Sequence, residues 1–325
     1  MSTSNGAKQA LHVATMSGWY RFEQDSCEWK QVKRWLTYWN LTCLTVDLEH
    51  PQWIYAGTEH SGLFLTRNAG ACWMRANPNT PRMMLFSVLA LDGHVMVGTV
   101  PSAVYRSKTD GGGWEELEGV RANSAEADFP PSPELQSRTR YLAYDPFDRQ
   151  RIYAGIEVGG LLVTNDGGRS WQPANEGLRD PDVHEVYPSA ARKGVVFAAC
   201  GEGVFRSFDR GARWEEITPS SHDYGMSVVE DASGTLYLGT ARGRPNTWLR
   251  EEGADAAILR SRDSGTRWEV AIDRLQGGVM NMCQAPSGSG IIAGTSDGTL
   301  LAVDDSGVRV IANGLPGITA VKLGA

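Results

Sequence analysis

The sequence predicts an all-β fold: a single seven-bladed β-propeller of four-stranded antiparallel blades, closed by its own C-terminal strand. Three observations carry this. An eight-residue pattern recurs as TNDGGRSW (164–171), SFDRGARW (207–214) and SRDSGTRW (261–268). TRNAGACW (66–73) keeps the frame with Asn68 at the acidic position, and SKTDGGGW (107–114) keeps it with Thr109 there. Each copy follows a short apolar run of the same kind, IYAGT (54–58), VMVGT (95–99), IYAGI (152–156), VFAAC (196–200) and LYLGT (236–240). With two degenerate copies, the frames begin at 22, 66, 107, 164, 207, 261 and 303, seven units at a propeller-like period.

The eight-residue pattern has the chemistry of a hairpin turn. A short carboxylate or amide accepts hydrogen bonds from the turn's own N–H groups, and the leading hydroxyl donates to it. Gly, four residues after the hydroxyl, supplies positive φ. The closing Trp opens the next strand with a large apolar anchor. This pattern resembles the Asp-box, or BNR repeat, S/T-x-D-x-G-x-x-W. It is found in sialidases, sortilin-type receptors, xyloglucan-cleaving hydrolases and photosystem II stability factors. The resemblance implies the propeller fold and a turn staple remote from the chemistry. It does not imply one activity.

The β-branched and aromatic runs between glycines read as strands. A further apolar run precedes each, as at 43–48, 141–144 and 183–187, so every unit has four strands, A to D, with the box between C and D. The first unit starts directly in strand B, LHVAT (11–15), followed by GWYRF (18–22) and Trp29. The last runs from IIAGT (291–295) through 300–303 to Val310, where Trp would stand, and the chain continues as ITAVKL (318–323). That segment is expected to supply the innermost strand of blade 1, removing the open edges of a linear array. The expected domain is 10–325, with blade 1 completed by 318–324 and residues 1–9 a loose tail.

Composition sets bounds. Charged residues make up 21% and hydrophobic ones 41%, as in globular chains. The net charge of −7 argues against a general nucleic-acid partner, which needs a basic face. The odd count of five cysteines, at 27, 43, 72, 200 and 283 and without a CxxC pair, points to a reducing, cytoplasmic setting. No apolar h-region opens the chain and no stretch approaches a membrane span. A monomer without membrane partner, cofactor or metal is expected. The acidic turns lack the alternating ligands and twelfth-position Glu of an EF-hand loop.

Two insertions locate the expected site. One spans 121–137, between blades 3 and 4; the other spans 242–257, between strands B and C of blade 6. In up-and-down blades both fall on the face opposite the boxes, where binding loops on a rigid scaffold belong. That face collects Glu59, His60, Arg82, Arg138, Arg140, Glu157, Asp182, His184, Glu185 and Glu202. It also collects His222, Asp223, Tyr224, Arg242, Arg244, Asn281 and Asp297, with Trp248 in the second insertion. Candidate ligand-binding residues are Arg140, Glu157, His184, Glu185, Glu202, His222, Asp223, Tyr224, Arg244, Trp248, His60 and Arg82. The histidines at 60, 184 and 222 have no local metal-ligand spacing.

The expected function is a binding or assembly module that takes a small molecule, glycan or peptide at the central mouth. The alternative is a glycan-active enzyme at the same mouth, a glycoside hydrolase, sialidase-like enzyme or lyase. The sialidase resemblance would require an F/Y-R-I-P motif, and the chain opens with WYRFEQ instead. The xyloglucan hydrolases place a cleft between two propellers, and one is present here. Two carboxylates about 5–10 Å apart in a deep mouth would favour the enzyme.

Overall fold

The computed structural model describes residues 9–25, 28–76, 84–109, 112–123, 136–248 and 253–324. Most of the expected tail, Arg82, most of the first insertion and 249–252 lie outside the described residues. Seven four-stranded antiparallel sheets form the blades. In blade 1 the inner strand is Ile318–Gly324, paired with Ala10–Thr15. The inner strands of blades 2 to 7 are Leu41–Val46, Leu85–Leu91, Arg138–Asp145, Val183–Pro188, Tyr224–Glu230 and Val279–Gln284.

The core lies between blades rather than within them. Seven buried clusters each join residues of two neighbouring blades, and together they run once around the ring. The closing strand serves two of them: Ile318 and Val321 pack against blade 7, and Ala320 packs toward blade 2. The recurring Gly of the second strands has a packing reason. A Cβ on Gly57 would lie 2.4 Å from Cys43 Sγ and 3.2 Å from Leu85 Cβ. One on Gly239 would lie 2.5 Å from Val279, and one on Gly294 2.3 Å from Ile318. Each of these glycines admits the first inner-strand residue of the next blade.

The eight-residue turns form as their chemistry requires. Thr164 Oγ1 donates to Asp166 Oδ1 (2.7 Å) and accepts from Gly168 N (3.0 Å), while Asp166 Oδ1 accepts from Ser170 N (2.9 Å). Ser207 and Asp209, Ser261 and Asp263, and Thr66 and Asn68 repeat this set. Positive φ extends one residue further than Gly alone. Ala69, Arg210 and Ser264, each just before the box Gly, take φ of 52°, 64° and 61°. The box tryptophans also tie blades together: Trp214 Nε1 donates to Ala174 O (2.9 Å), and Trp268 Nε1 to Ile217 O (2.8 Å). Blade 7 uses a two-residue hairpin instead, between Asp304 and Gly307, and in blade 1 Asp25 pairs with Glu28.

A second staple is not visible as a sequence repeat. The inner strands carry a free edge toward the axis, and side chains from the preceding blade satisfy it. Glu185 Oε2 accepts from Val228 N (3.2 Å), Ser227 Oγ from Met282 N (3.1 Å), and Asn281 Oδ1 from Val321 N (3.0 Å). Among the described residues no helix is long and apolar enough to cross a membrane.

Candidate functional site at the channel mouth

Every inner strand carries a β-bulge at its second or third residue. In blade 4, Thr139 pairs with Ile156 and Tyr141 with Gly155, so Arg140 has no partner. The same slip frees Thr42, Phe86, His184, Met226, Met280 and Thr319 in the other six blades. A bulge re-aims a side chain out of the ladder. All seven side chains line one central channel of about 650 Å3. The ring is chemically lopsided. Arg140 and His184, on adjacent blades, are its two ionisable members, and the rest are Thr, Phe or Met.

The charged sector is a connected network. Arg140 Nη1 donates to Glu157 Oε2 at 2.6 Å, and Arg138, cross-strand partner of Glu157, brings its Nε to 3.4 Å of the same oxygen. The Arg138 guanidinium lies over the Phe86 ring, 5.1 Å from its centroid. Burial opposes the charge on Glu157, but Arg140 and Arg138 outweigh it and hold the carboxyl below its usual range. Burial likewise opposes the charge on Asp182, and His184, Arg140 and Arg244 together lower its pKa.

His184 is buried, and its orientation is fixed. Nδ1 lies 2.6 Å from Gly225 O, which can only accept, so this nitrogen carries the proton. Nε2 then faces Tyr224 Oη at 3.4 Å and Asp182 Oδ1 at 3.5 Å. Asp182 Oδ1 is itself buried and has no hydrogen-bond partner. Ligand atoms of Glu157, Asp182 and His184 lie within 4.8 Å of one another, a donor set with the types a divalent ion takes. Arg140 already neutralises Glu157 there, so the arrangement is an arginine–carboxylate–imidazole network.

The other candidates spread out. Glu185 is buried and bonded to Val228 N below the rim. Trp248 packs against Gly278, where a Cβ would lie 2.4 Å from its ring, and its Nε1 donates to Gly243 O (3.0 Å). Residues 243–248 of the second insertion therefore reach blade 7 around a 3-10 turn, Pro245–Thr247. Arg244 is exposed and acts on Asp182 and Tyr224 through its charge. His60 is exposed beside Glu59 (3.8 Å), which accepts from Asn40 Nδ2 (2.7 Å). His222 meets Ser221 Oγ (3.0 Å), Asp223 is exposed, and the backbone N of exposed Glu202 donates to Asp180 Oδ2 (2.6 Å). Thus Arg140, Glu157, His184 and Tyr224 converge with Arg138 and Asp182. His60, His222 and Glu202 make their contacts elsewhere. The apolar rim residues Phe86, Met226 and Met280 escaped sequence reasoning. Their one signal is position: each stands just before the residue that faces the second-strand Gly.

No protein-family model matches the chain. A probable oligoxyloglucan-reducing end-specific xyloglucanase of Neosartorya fischeri is 27% identical over 148 residues, 43% of this chain and 17% of that protein. The match therefore spans less than a fifth of that relative's length. Among solved structures, YCF48 bound to D1 peptide superposes with a TM-score of 0.59 at 16% identity, covering 95% of both chains. An ancestral GH74 enzyme superposes with a TM-score of 0.61 at 16% identity, covering 87% of this chain and 38% of its own. The chain shares its propeller with both. At such identity the likeness establishes the architecture, one that serves peptide binding in one protein and an enzyme in the other.

Proposed function

We propose that this chain is a binding module whose rim, at blades 4 to 6, takes a ligand that offers hydrogen-bond donors, a sugar or a peptide segment. The supporting observation is Asp182 Oδ1, a buried acceptor left unpaired 3.5 Å from Nε2 of His184, which itself lines the channel. An unmet buried acceptor costs free energy until a donor arrives. His184, Arg140 and Arg244 keep that acceptor ionised, and Tyr224 backs the imidazole. In this reading one propeller over 10–325 acts as a monomer, and the free thiols of Cys43, Cys72, Cys200 and Cys283 suit a reducing compartment.

The glycosidase alternative has a pair to draw on, since Glu157 and Asp182 are as close as the carboxylates of retaining enzymes, ~5 Å apart. Such chemistry needs one carboxyl protonated and the other ionised. Both here are lowered by arginine or histidine neighbours. Burial raises two carboxyls nearby, and both are tied to backbone: Glu185 accepts from Val228 N, and Asp180 accepts from Asp182 N (3.1 Å) and Glu202 N (2.6 Å).

The test is a glycan array and a peptide array probed with the purified chain, followed by calorimetry of any hit. Asp182→Asn keeps the shape and removes the anionic acceptor. Affinity should fall about tenfold or more, with the melting temperature unchanged. Equal affinity would remove Asp182 from the site. Sustained release of reducing ends from xyloglucan, abolished by Asp182→Asn, would replace binding by catalysis.

A further inference from the structure

The channel below the rim holds a cation with no ion-pair partner among the described residues. Lys322 lies on the closing strand of blade 1, yet its Nζ reaches to 5.9 Å from the centroid of the Tyr141 ring on blade 4. The side chain therefore extends across the axis. Among the described residues no carboxylate lies within 4.0 Å of this Nζ, and it makes no hydrogen bond. Glu185 is the nearby acid: Lys322 acts on it through its charge, but burial raises its carboxyl overall, and that carboxyl hydrogen-bonds to Ser227, Tyr141 and Val228 N rather than to the ammonium. The other groups that feel Lys322 are the thiols of Cys43 and Cys283, which burial pushes up to about 12, so they remain neutral. The channel wall is mostly apolar, with Leu44, Val88, Leu89, Leu142 and Val186 among the lining residues beside the polar Tyr141, Glu185 and Asn281.

An ammonium between apolar walls is costly unless a counter-ion joins it. About 650 Å3 is the size of a small-molecule site, and its mixture is one charge in an oily tube. We propose that the channel is a binding site for an amphipathic monocarboxylate, an unbranched acyl or aryl-alkyl acid whose carboxylate pairs with Lys322 and whose apolar body lies along the inner strands. The ligand enters past Phe86, Met226 and Met280, the apolar arc of the rim. This goes beyond the rim proposal, because it uses neither Asp182 nor Glu157.

Decanoate, kept below its micellar concentration, is the probe, titrated by calorimetry. It should bind one per chain. Lys322→Met should weaken it at least tenfold, and Lys322→Arg should retain it within a few-fold. 1-Decanol, which has the tail without the charge, should not distinguish Lys322→Met from the parent. Thermal melts check that each variant is folded. In protein carrying 13C-lysine, the Cε resonance absent from Lys322→Arg should shift on titration, a readout independent of how well the Met variant folds. Absence of saturable decanoate binding, or equal binding by Lys322→Met, overturns the proposal. Asp182→Asn should leave decanoate affinity unchanged. If Asp182→Asn abolished it while Lys322→Met did not, the carboxylate would sit at the rim arginines and the axial site would be excluded.

Discussion

Asp166 and Trp171 separate the work of the turn from that of the wedge beside it. Asp166 is exposed enough for water to replace much of what it loses, so Asp166→Ala should cost about 1–2 kcal/mol in chemical denaturation. Trp171 is 4% exposed and packs between blades 3 and 4, and Trp171→Ala should cost about 3–5 kcal/mol. Both lie opposite the rim, so ligand affinity should not change in the folded variants. His12 offers a test with a sign. It is fully buried, stacks on Trp19 at 5.5 Å, and both ring nitrogens lack partners. Burial, helped by the charge of Arg21, lowers its pKa from 6.5 to about 3. Below about pH 6.5 the unfolded chain takes up a proton that the folded chain refuses, so stability falls as pH drops toward 3. Near pH 5 this one residue should account for about 2 kcal/mol. His12→Phe should flatten the loss of melting temperature between pH 7 and 5, and an unchanged slope would assign the acid sensitivity elsewhere.

At the scale of the strand, the closing segment is the decisive element. Ile318–Gly324 pairs along the whole of Ala10–Thr15 and contributes to the interfaces on both sides of blade 1. Truncation from residue 318 should therefore lower the melting temperature of the entire ring, not of one blade. Equal melting of the truncated and full-length chains would contradict the interlock. The blades and this closure were legible in the sequence because turns and packing glycines are local signals: the box needs its hydroxyl, acid and Gly within five residues. The rim was only half legible. Arg140 and His184 stood out as charges at strand starts between two insertions. Phe86, Met226 and Met280 did not, because a bulge is a property of register between strands, and the seven rim positions share no residue type. Lys322 reads as part of a strand, since nothing local tells that its side chain crosses the axis. Asp182 was collected with the mouth, but only the surroundings of Oδ1 single it out.

For the molecule as a whole, the two faces divide the labour. The box face and the interblade clusters hold the ring, so substitutions there should appear in melts. The rim is carried by bulges that the ladders do not need. Arg140→Ala and His184→Ala should each weaken binding of a rim ligand about tenfold, with much smaller changes in stability than Trp171→Ala. Calorimetry beside thermal melts checks this, and unchanged affinity in both variants would remove the rim of blades 4 to 6 as the site. The outer strands are uneven as well. They are two residues long in blades 2 to 5 but eight, seven and six in blades 1, 6 and 7. The contiguous arc of blades 6, 7 and 1 thus presents the longest outer edges.

Ala10 and Gly324 stand opposite each other in one ladder, at the box-face end of the closing strand. The ring accordingly has a seam, not two distant ends. A linker of a few residues would stitch that seam, and a circularly permuted chain reopened between other blades would carry the same contacts in a different order. A tether fixed at the seam, whether to a bead, a fluorophore or a second domain, would hold the propeller by its back and leave the rim facing outward.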